Sequence, residues 1–360
     1  MAVLLASGWA DEPRELASGF DTLVLSLRGV ASRKFLVSLA EAKEAARMVS
    51  DLVPFQFGGD EFLVAPGALA RHTFRLQHAW GVLGISDSDR LPVVRFQPHA
   101  EILHSFGPLG VRDWLVHLVS SQIEVSSDVV SRVDLHADFQ NLNLVSGDVE
   151  NFVTRATMNS VHHSHDVFTG VSFGKRSSRS ISARIYDKTE EIARKGGTYM
   201  FDLWGETFLP DEIVWRVECE MHRGFLHKFD ITTLDHLLEH TGALWQYFTQ
   251  EWLSLRCPTD DSTRSRWPFD LRWQRVQQAS FANRVVQLER VAASQVRETA
   301  EKEVPFLLGE IMRWAAILNT DSIEETLRTI PSHLTERLAA KGWDFAEQQR
   351  QKRILMGLIS

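Results

Sequence analysis

Apolar and polar residues alternate along the chain with two different periods, and the switch between them predicts how it folds. Asp21 to Leu27 is a β-rich alternation and predicts a strand. Ser38 to Leu52 has helical spacing: Leu39, Ala42, Ala46 and Val49 recur on one face, Ser38 can cap, and Glu41 stands three residues on. From Phe55 to Leu103 the pattern shortens into strands split by Gly58-Gly59-Asp60, Ala65-Pro66-Gly67 and Asp87-Ser88-Asp89, an antiparallel segment. Helices are expected from Arg112 toward Ser121, from Glu150 to Met158, and from Glu190 to Lys195, the last stopped by Gly196-Gly197. Three more stretches alternate as strands: Ser131–Phe139, Ser180–Lys188 and Ile213–Met221. The middle one is expected to form a hairpin with Phe168–Phe173 across a basic turn.

After Leu234 the period becomes helical, over Leu234–Glu251, Arg272–Ala293, Phe306–Asn319, Ile323–Thr329 and Leu334–Lys341, with Pro258, Pro268, Pro305 and Pro331 as punctuation. The fold class read from this order is α+β: an antiparallel sheet with helices, followed by a mainly helical C-terminal region. The expected division is a leader over 1–18, an α+β domain over 19–255 and a helical region over 265–360.

Composition changes this picture little. At 360 residues there is room for a large core and two domains. No apolar run has transmembrane length, and the short apolar start is followed at once by Asp11, Glu12 and Pro13, so no membrane partner is expected. Two cysteines, Cys219 and Cys257, are too few for a disulfide framework and lack metal-site spacing, which makes a reducing cytoplasm the expected compartment. The net charge of −8 argues against a uniformly basic nucleic-acid binder, so local distribution decides. Two stretches run against the acidic background. Residues 172–188 carry Lys175, Arg176, Arg179, Arg184 and Lys188. Residues 264–290 carry Arg272 and Arg275 among six arginines, with Trp267 and Trp273 interleaved, a mixture suited to backbone contact and base stacking if it is more than a solvated face.

The chemistry lies in the alternating strands, because alternate side chains of a strand share a face. Arg132, Asp134, His136 and Asp138 share one face of the first, opposite Val133, Leu135, Ala137 and Phe139. Arg184, Tyr186 and Lys188 would align on the second, and Arg216, Glu218 and Glu220 on the third. Each strand alone is also what an exposed polar sheet face looks like. Together they hold a nucleophile, cations and oxygen ligands, the parts of metal-assisted phosphoryl transfer. Tyr186 is the candidate nucleophile, with Arg184 and Lys188 placed to neutralise phosphate or favour ionisation of the phenol. Asp134 and Glu218 are the leading ligands for Mg²⁺ or Mn²⁺, with Asp138, Glu220 and His136 as auxiliaries. Arg132 and Arg216 can instead buttress the acids. The run His162-His163-Ser164-His165 invites a metal reading, but no further ligands have metal spacing, and a polar turn or DNA-facing hairpin is the simpler account.

These motifs, in this order, resemble the trans-acting rolling-circle replication initiators of plasmids and phages, a family related to relaxases of conjugative elements. The resemblance runs from about Phe20 to Phe229 and rests on Ser-Arg-Val-Asp-Leu-His-Ala-Asp-Phe, Ala183-Arg-Ile-Tyr-Asp-Lys and Trp215-Arg-Val-Glu-Cys-Glu. It implies a five-stranded antiparallel sheet akin to the histidine-hydrophobe-histidine endonucleases and RRM-like folds, with acids in place of the histidine pair. It implies that Tyr186 attacks a phosphodiester, keeps the 5′-phosphate and releases a 3′-OH, with Asp134 and Glu218 holding the metal. The implied partner is origin DNA, single-stranded or supercoiled. The helical C-terminal region matches no motif, and its open roles are reading DNA, recruiting a helicase or forming a homodimer. His136 stands where the family pattern has a small or apolar residue. No second tyrosine adjoins Tyr186, so a second cleavage would use another subunit or water. The competing functions are a conjugative relaxase, a nuclease in which water attacks, and a DNA-binding protein without covalent catalysis.

Overall fold

Two strands of 18 residues set the frame, paired along their length across four shifts of register. The computed structural model describes residues 12–175, 180–280, 307–308 and 311–355. In chain order its elements are β1 (Arg14–Ala31), α1 (Arg33–Val49), β2 (Val53–Phe57), β3 (Asp60–Val64), β4 (Phe74–His78), β5 (Gly81–Ile85), β6 (Val94–Pro98), α2 (Ala100–Val119) and β7 (Ile123–Gln140). They continue with β8 (Phe152–Thr154), β9 (Asn159–Ser164), β10 (Val167–Phe173), β11 (Ile181–Asp187), α3 (Lys188–Lys195), α4 (Tyr199–Trp204), β12 (Val214–His222), α5 (Arg223–Leu226) and α6 (Leu234–Tyr247). The last are β13 (Leu253–Leu255), α7 (Leu271–Gln277), α8 (Ile323–Lys341) and α9 (Phe345–Leu355).

Contacts divide the described chain into two units, 12–31 with 88–280 and 32–87 with 307–355. In the first unit the strands lie in the order β6-β1-β7-β12-β11-β10-β9, and each neighbouring pair is antiparallel. Seven strands stand where five were expected. One face is apolar: Leu135, Ala137, Ile185, Val217, Cys219 and Met221 are all buried. In the second unit β2-β3-β4-β5 form an antiparallel meander. There α1 packs with Phe35 stacked on Phe57 at 4.6 Å, and α9 docks through Gln348 to Asp51 (2.7 Å) and Gln351 to the Leu52 carbonyl (2.9 Å).

Several boundaries differ from those read in the sequence, each for a local reason. Residues 14–18, expected in a leader, belong to β1, where Arg14 and Glu15 pair with Gln140 and Phe139. Helix α1 starts five residues before Ser38, because Ser32 caps it by accepting from the Phe35 amide, and Ser38 bonds instead to the Lys34 carbonyl. The helix expected at 150–158 is replaced by a 3₁₀ turn at Ser146–Asn151 and β8, which pairs with β13. Pro331 lies inside α8 instead of ending it, since Ser322 and Gly342 supply the two caps. Residues 264–280 stay with the first unit because Trp273 is fully buried there, its indole donating to the Thr249 carbonyl at 2.8 Å. The expected helix over 272–293 is described only as far as Gln277, and residues 281–293 lie outside the described residues. No described helix is long and apolar enough to cross a membrane.

Candidate active site

Cross-strand register gathers the polar side chains into rows on one face of the sheet. One row reads Thr22, Asp134, Glu220, Ser182; the next Gly19, His136, Glu218, Arg184, Ser172; the next Ala17, Asp138, Arg216, Tyr186, Gly170. Asp134, His136, Asp138, Arg216, Glu218 and Glu220 are all buried, so this is a second, polar core and not a solvated sheet face. Helices cover it. His104 of α2 meets His136 edge-on at 5.1 Å, and α4 brings Trp204, whose indole donates to Asp138 at 2.8 Å.

Asp21 joins this face through a β-bulge. The register of β1 against β7 shifts between Phe20 and Thr22, leaving Asp21 as the extra residue with its carboxylate turned to the polar side. One oxygen each from Asp21, Asp134 and Glu218 then lie within 4.8 Å of one another. Each of the three acids is paired with an arginine. Arg132 grips Asp134 at 2.7 and 2.5 Å and reaches Glu220 at 2.9 Å; Arg216 pairs with Asp21 at 2.5 Å; Arg184 pairs with Glu218. The expected buttressing by Arg132 and Arg216 is therefore present. A set of three carboxylates suits a hard, oxygen-seeking cation such as Mg²⁺ or Mn²⁺, which keeps several of its own waters.

Asp138 is placed differently from Asp134 and Glu218. Arg216 binds both its oxygens, at 2.6 and 2.8 Å, Trp204 takes a further bond, and His136 lies 3.4 Å away. Burial alone would raise its pKa, but the Arg216 and His136 charges and hydrogen bonds together outweigh that and hold the carboxyl well below its usual range. It is the counter-ion of Arg216 and lies outside the trio of converging carboxylates. Glu220 is likewise held between Arg132 and His222, the latter at 2.7 Å.

Tyr186 donates its hydroxyl hydrogen bond to Glu218 Oε2 at 3.1 Å. The two expected cations do not reach that oxygen. Arg184 lies 5.6 Å and Lys188 5.8 Å from the ring centroid, as cation–π partners. The strand ends at Asp187, which caps α3 by accepting from the Glu190 amide at 2.9 Å, so Lys188 opens a helix and turns its ammonium to Glu191 at 2.5 Å. Burial, followed by the Glu218 charge, pushes the phenol well above its usual pKa. The expectation that flanking cations favour ionisation is corrected: the protein's own surroundings hold Tyr186 protonated.

Asp21 and Asp134 respond to the same field in opposite senses. Burial would raise Asp21, yet the surrounding positive charges, Arg216 foremost, together bring it down to about 2. For Asp134, burial and the Glu218 and Glu220 charges exceed the Arg132 bond, and its pKa rises to about 7. A cation entering this site must therefore displace a proton from Asp134 at acidic pH. Mn²⁺ affinity is expected to climb with pH up to about 7 and level off above it, read by calorimetry or electron paramagnetic resonance. Because the folded pKa lies above the unfolded 3.8, this group's stabilising contribution is complete below 3.8 and is lost as pH rises through about 7. The metal-free protein should lose stability over that window, and Asp134→Asn should flatten the loss.

The remaining sequence candidates are scattered. Lys175 is exposed just beyond β10, while Arg176 and Arg179 lie outside the described residues. Arg272 is not open to DNA, being tied to Asp148 at 2.8 Å, Asp270 at 2.9 Å and the Asn143 carbonyl at 3.2 Å. Arg275 pairs with Glu12. Trp273 is buried and Arg272 is tied into the fold, whereas Arg266 of the same stretch is exposed, with Asp261 at 3.8 Å. Sequence reasoning missed Asp21 as a member of this acidic group; its only signal was an acid inside an otherwise apolar alternation, Phe20-Asp21-Thr22-Leu23.

No family model matches the chain, and no curated protein matches it. Among solved structures, it is similar to a rolling circle replication initiator protein from Geobacillus stearothermophilus, with 12% identity and a TM-score of 0.43, over 75% of this chain and 98% of that one.

Proposed function

We propose that the chain is a metal-dependent DNA nicking and joining enzyme that starts rolling-circle replication through a covalent bond to Tyr186. The observation that supports this most is the contact between the Tyr186 hydroxyl and Glu218, one of three carboxylates that converge tightly enough to share a cation. Asp21, Asp134 and Glu218 would hold Mg²⁺ or Mn²⁺, which supplies positive charge to a non-bridging phosphate oxygen. Glu218 accepts the phenolic proton as the Tyr186 oxygen attacks phosphorus. The P–O3′ bond breaks, the 3′ oxygen leaves and takes up a proton, and the 5′-phosphate stays on Tyr186. Arg184, beside both groups, stabilises the negative charge on the phosphate. Joining is the reverse, with an incoming 3′-OH displacing the tyrosine.

The test is incubation with Mn²⁺ and end-labelled single-stranded DNA from upstream of the chain's own gene, followed by a denaturing gel. A protease-sensitive protein–DNA adduct that vanishes in Tyr186→Phe is the expected result. One observation favours a second reading, attack by water: the phenol's raised pKa makes it a poor nucleophile until its proton is taken. Under that reading Tyr186→Phe still cleaves and no adduct forms.

Gly170 bears on the same chemistry. It has φ +155°, and a Cβ there would overlap the Ile185 carbonyl oxygen and lie 2.9 Å from Tyr186 Cα and 3.0 Å from Tyr186 Cβ. Only glycine lets β10 approach the tyrosine this closely. Gly170→Ala is expected to displace Tyr186 and cut adduct formation by roughly 10²-fold, the scale for a misplacement of about 1 Å. Parallel thermal unfolding would show a smaller loss, about 1–3 kcal/mol for the strained backbone.

A further inference from the structure

The histidines of β9 take no part in the chemistry above, yet the register brings one of them onto the tyrosine's face. Gly170 pairs with Tyr186 on one side and with His162 on the other, and Ser172 pairs with Arg184 on one side and Ser160 on the other. Residues directly opposite in an antiparallel ladder share a face. His162 and Ser160 therefore stand on the active-site face, with β10 between them and the catalytic strand. Beside Tyr186 and Arg184, β10 presents Gly170 and Ser172 on that face, and Gly174 follows immediately beyond the strand. The result is a lane with a floor of small residues. Arg184 and Tyr186 flank it on one side and Ser160 and His162 on the other. Neighbouring strands lie about 4.8 Å apart, so the two flanks are separated by roughly 10 Å at the backbone, room for one sugar-phosphate chain. His162 is exposed, and its Nε2 lies 2.8 Å from the Ser172 hydroxyl, a pair of short polar side chains already oriented toward the lane.

We propose that single-stranded DNA crosses this lane on its way to Tyr186, and that His162, with Ser172, holds a backbone phosphate beside the scissile one. The proposal rests on the nicking reading. The occupant follows from continuity with Tyr186 and Arg184 and from the donors on both flanks, since imidazole and hydroxyl groups are ordinary phosphate contacts that fix the register of a strand without reading its sequence. His163 is the internal control. It is also exposed and adjacent in the chain, but it belongs to the opposite face, where its ring meets Phe168 edge-on at 5.9 Å and Phe168 stacks on Trp215 at 5.6 Å.

The experiment uses the full chain carrying Tyr186→Phe, so that no cleavage intervenes, and a fluorescein-labelled mixed-sequence single strand read by anisotropy in Mn²⁺. Adding His162→Ala is expected to weaken binding about tenfold, the value of one hydrogen bond to a charged group, while adding His163→Ala leaves it unchanged. Ser172→Ala should give a smaller loss in the same direction. Equal affinity for all three variants would overturn the lane, as would equal weakening by His162→Ala and His163→Ala, which would assign the contact to the hairpin as a whole. If the Tyr186→Phe parent fails to bind single strands at all, the nicking reading falls first and takes the lane with it. Binding by the parent without a His162 effect removes the lane alone.

Discussion

Glu218→Gln should reduce adduct formation by about 10²–10⁴-fold, the range for loss of a positioned general base. It should at the same time make Tyr186 easier to ionise. The two effects have opposite signs because Glu218 does two things. In the proposed reaction its carboxylate takes the phenolic proton, and its charge, next after burial, is what raises the phenol's pKa. The amide keeps the shape and can still accept from the hydroxyl, but it is a far weaker base and a poor partner for a cation. A phenolate absorbance titration, with Tyr186→Phe subtracted, should therefore move to lower pH while turnover collapses. Mn²⁺ affinity should fall as well, since one of three converging carboxylates is gone. Retained turnover in Glu218→Gln would transfer the base to another group and would leave Glu218 only as the partner of Arg184.

Arg216→Ala should be the most damaging single substitution in the polar core, costing about 3–5 kcal/mol. Arg216 is fully buried and binds both oxygens of Asp138 as well as Asp21. Its removal leaves Asp138 charged and buried, with Trp204 and His136 as its remaining partners. The cost comes from the stranded carboxylate more than from the lost bonds, so it should be largely recovered by removing both partners together. Urea unfolding of Arg216→Ala, and of Arg216→Met combined with Asp138→Leu, makes the comparison, with Trp204 beside Asp138 as a local fluorescence probe. A double variant as unstable as Arg216→Ala would show that shape, not charge, dominates here. Asp21 should also lose the largest of the charges that lower its pKa, so metal binding should weaken at acidic pH.

Much of this site was legible in the chain because strand periodicity is simple. A period of two places Asp134, His136 and Asp138 on one face wherever the strand lies, and the same holds for Arg216, Glu218 and Glu220. Tyr186 and Arg184 share a face for the same reason. Lys188 did not follow them, because Asp187 is a better helix cap than a strand residue and changed the period one position early. Asp138 and Asp134 were indistinguishable as letters; what separates them is which arginine each one meets. Asp134 meets Arg132 of its own strand, whereas Asp138 meets Arg216 of β12, 78 positions away.

What the sequence by itself determined is the set of elements that carry chemistry: three alternating strands, their polar faces, and Tyr186, Asp134 and Glu218 as their candidate reactive groups. Only the tertiary structure decided three further things. A bulge in β1 brought Asp21 in as the third carboxylate, since an irregularity of register arises from pairing and leaves no periodic trace. Helices α2 and α4 covered the polar face at His136 and Asp138, which turned side chains readable as solvent-facing into a buried charge network, while Arg184 and Tyr186 stayed partly exposed. The edge position of β9 placed His162 in line with Tyr186 across Gly170. Periodicity is a local property and survives in the sequence, whereas burial, register and charge pairing are relations between distant segments and exist only once the sheet has formed.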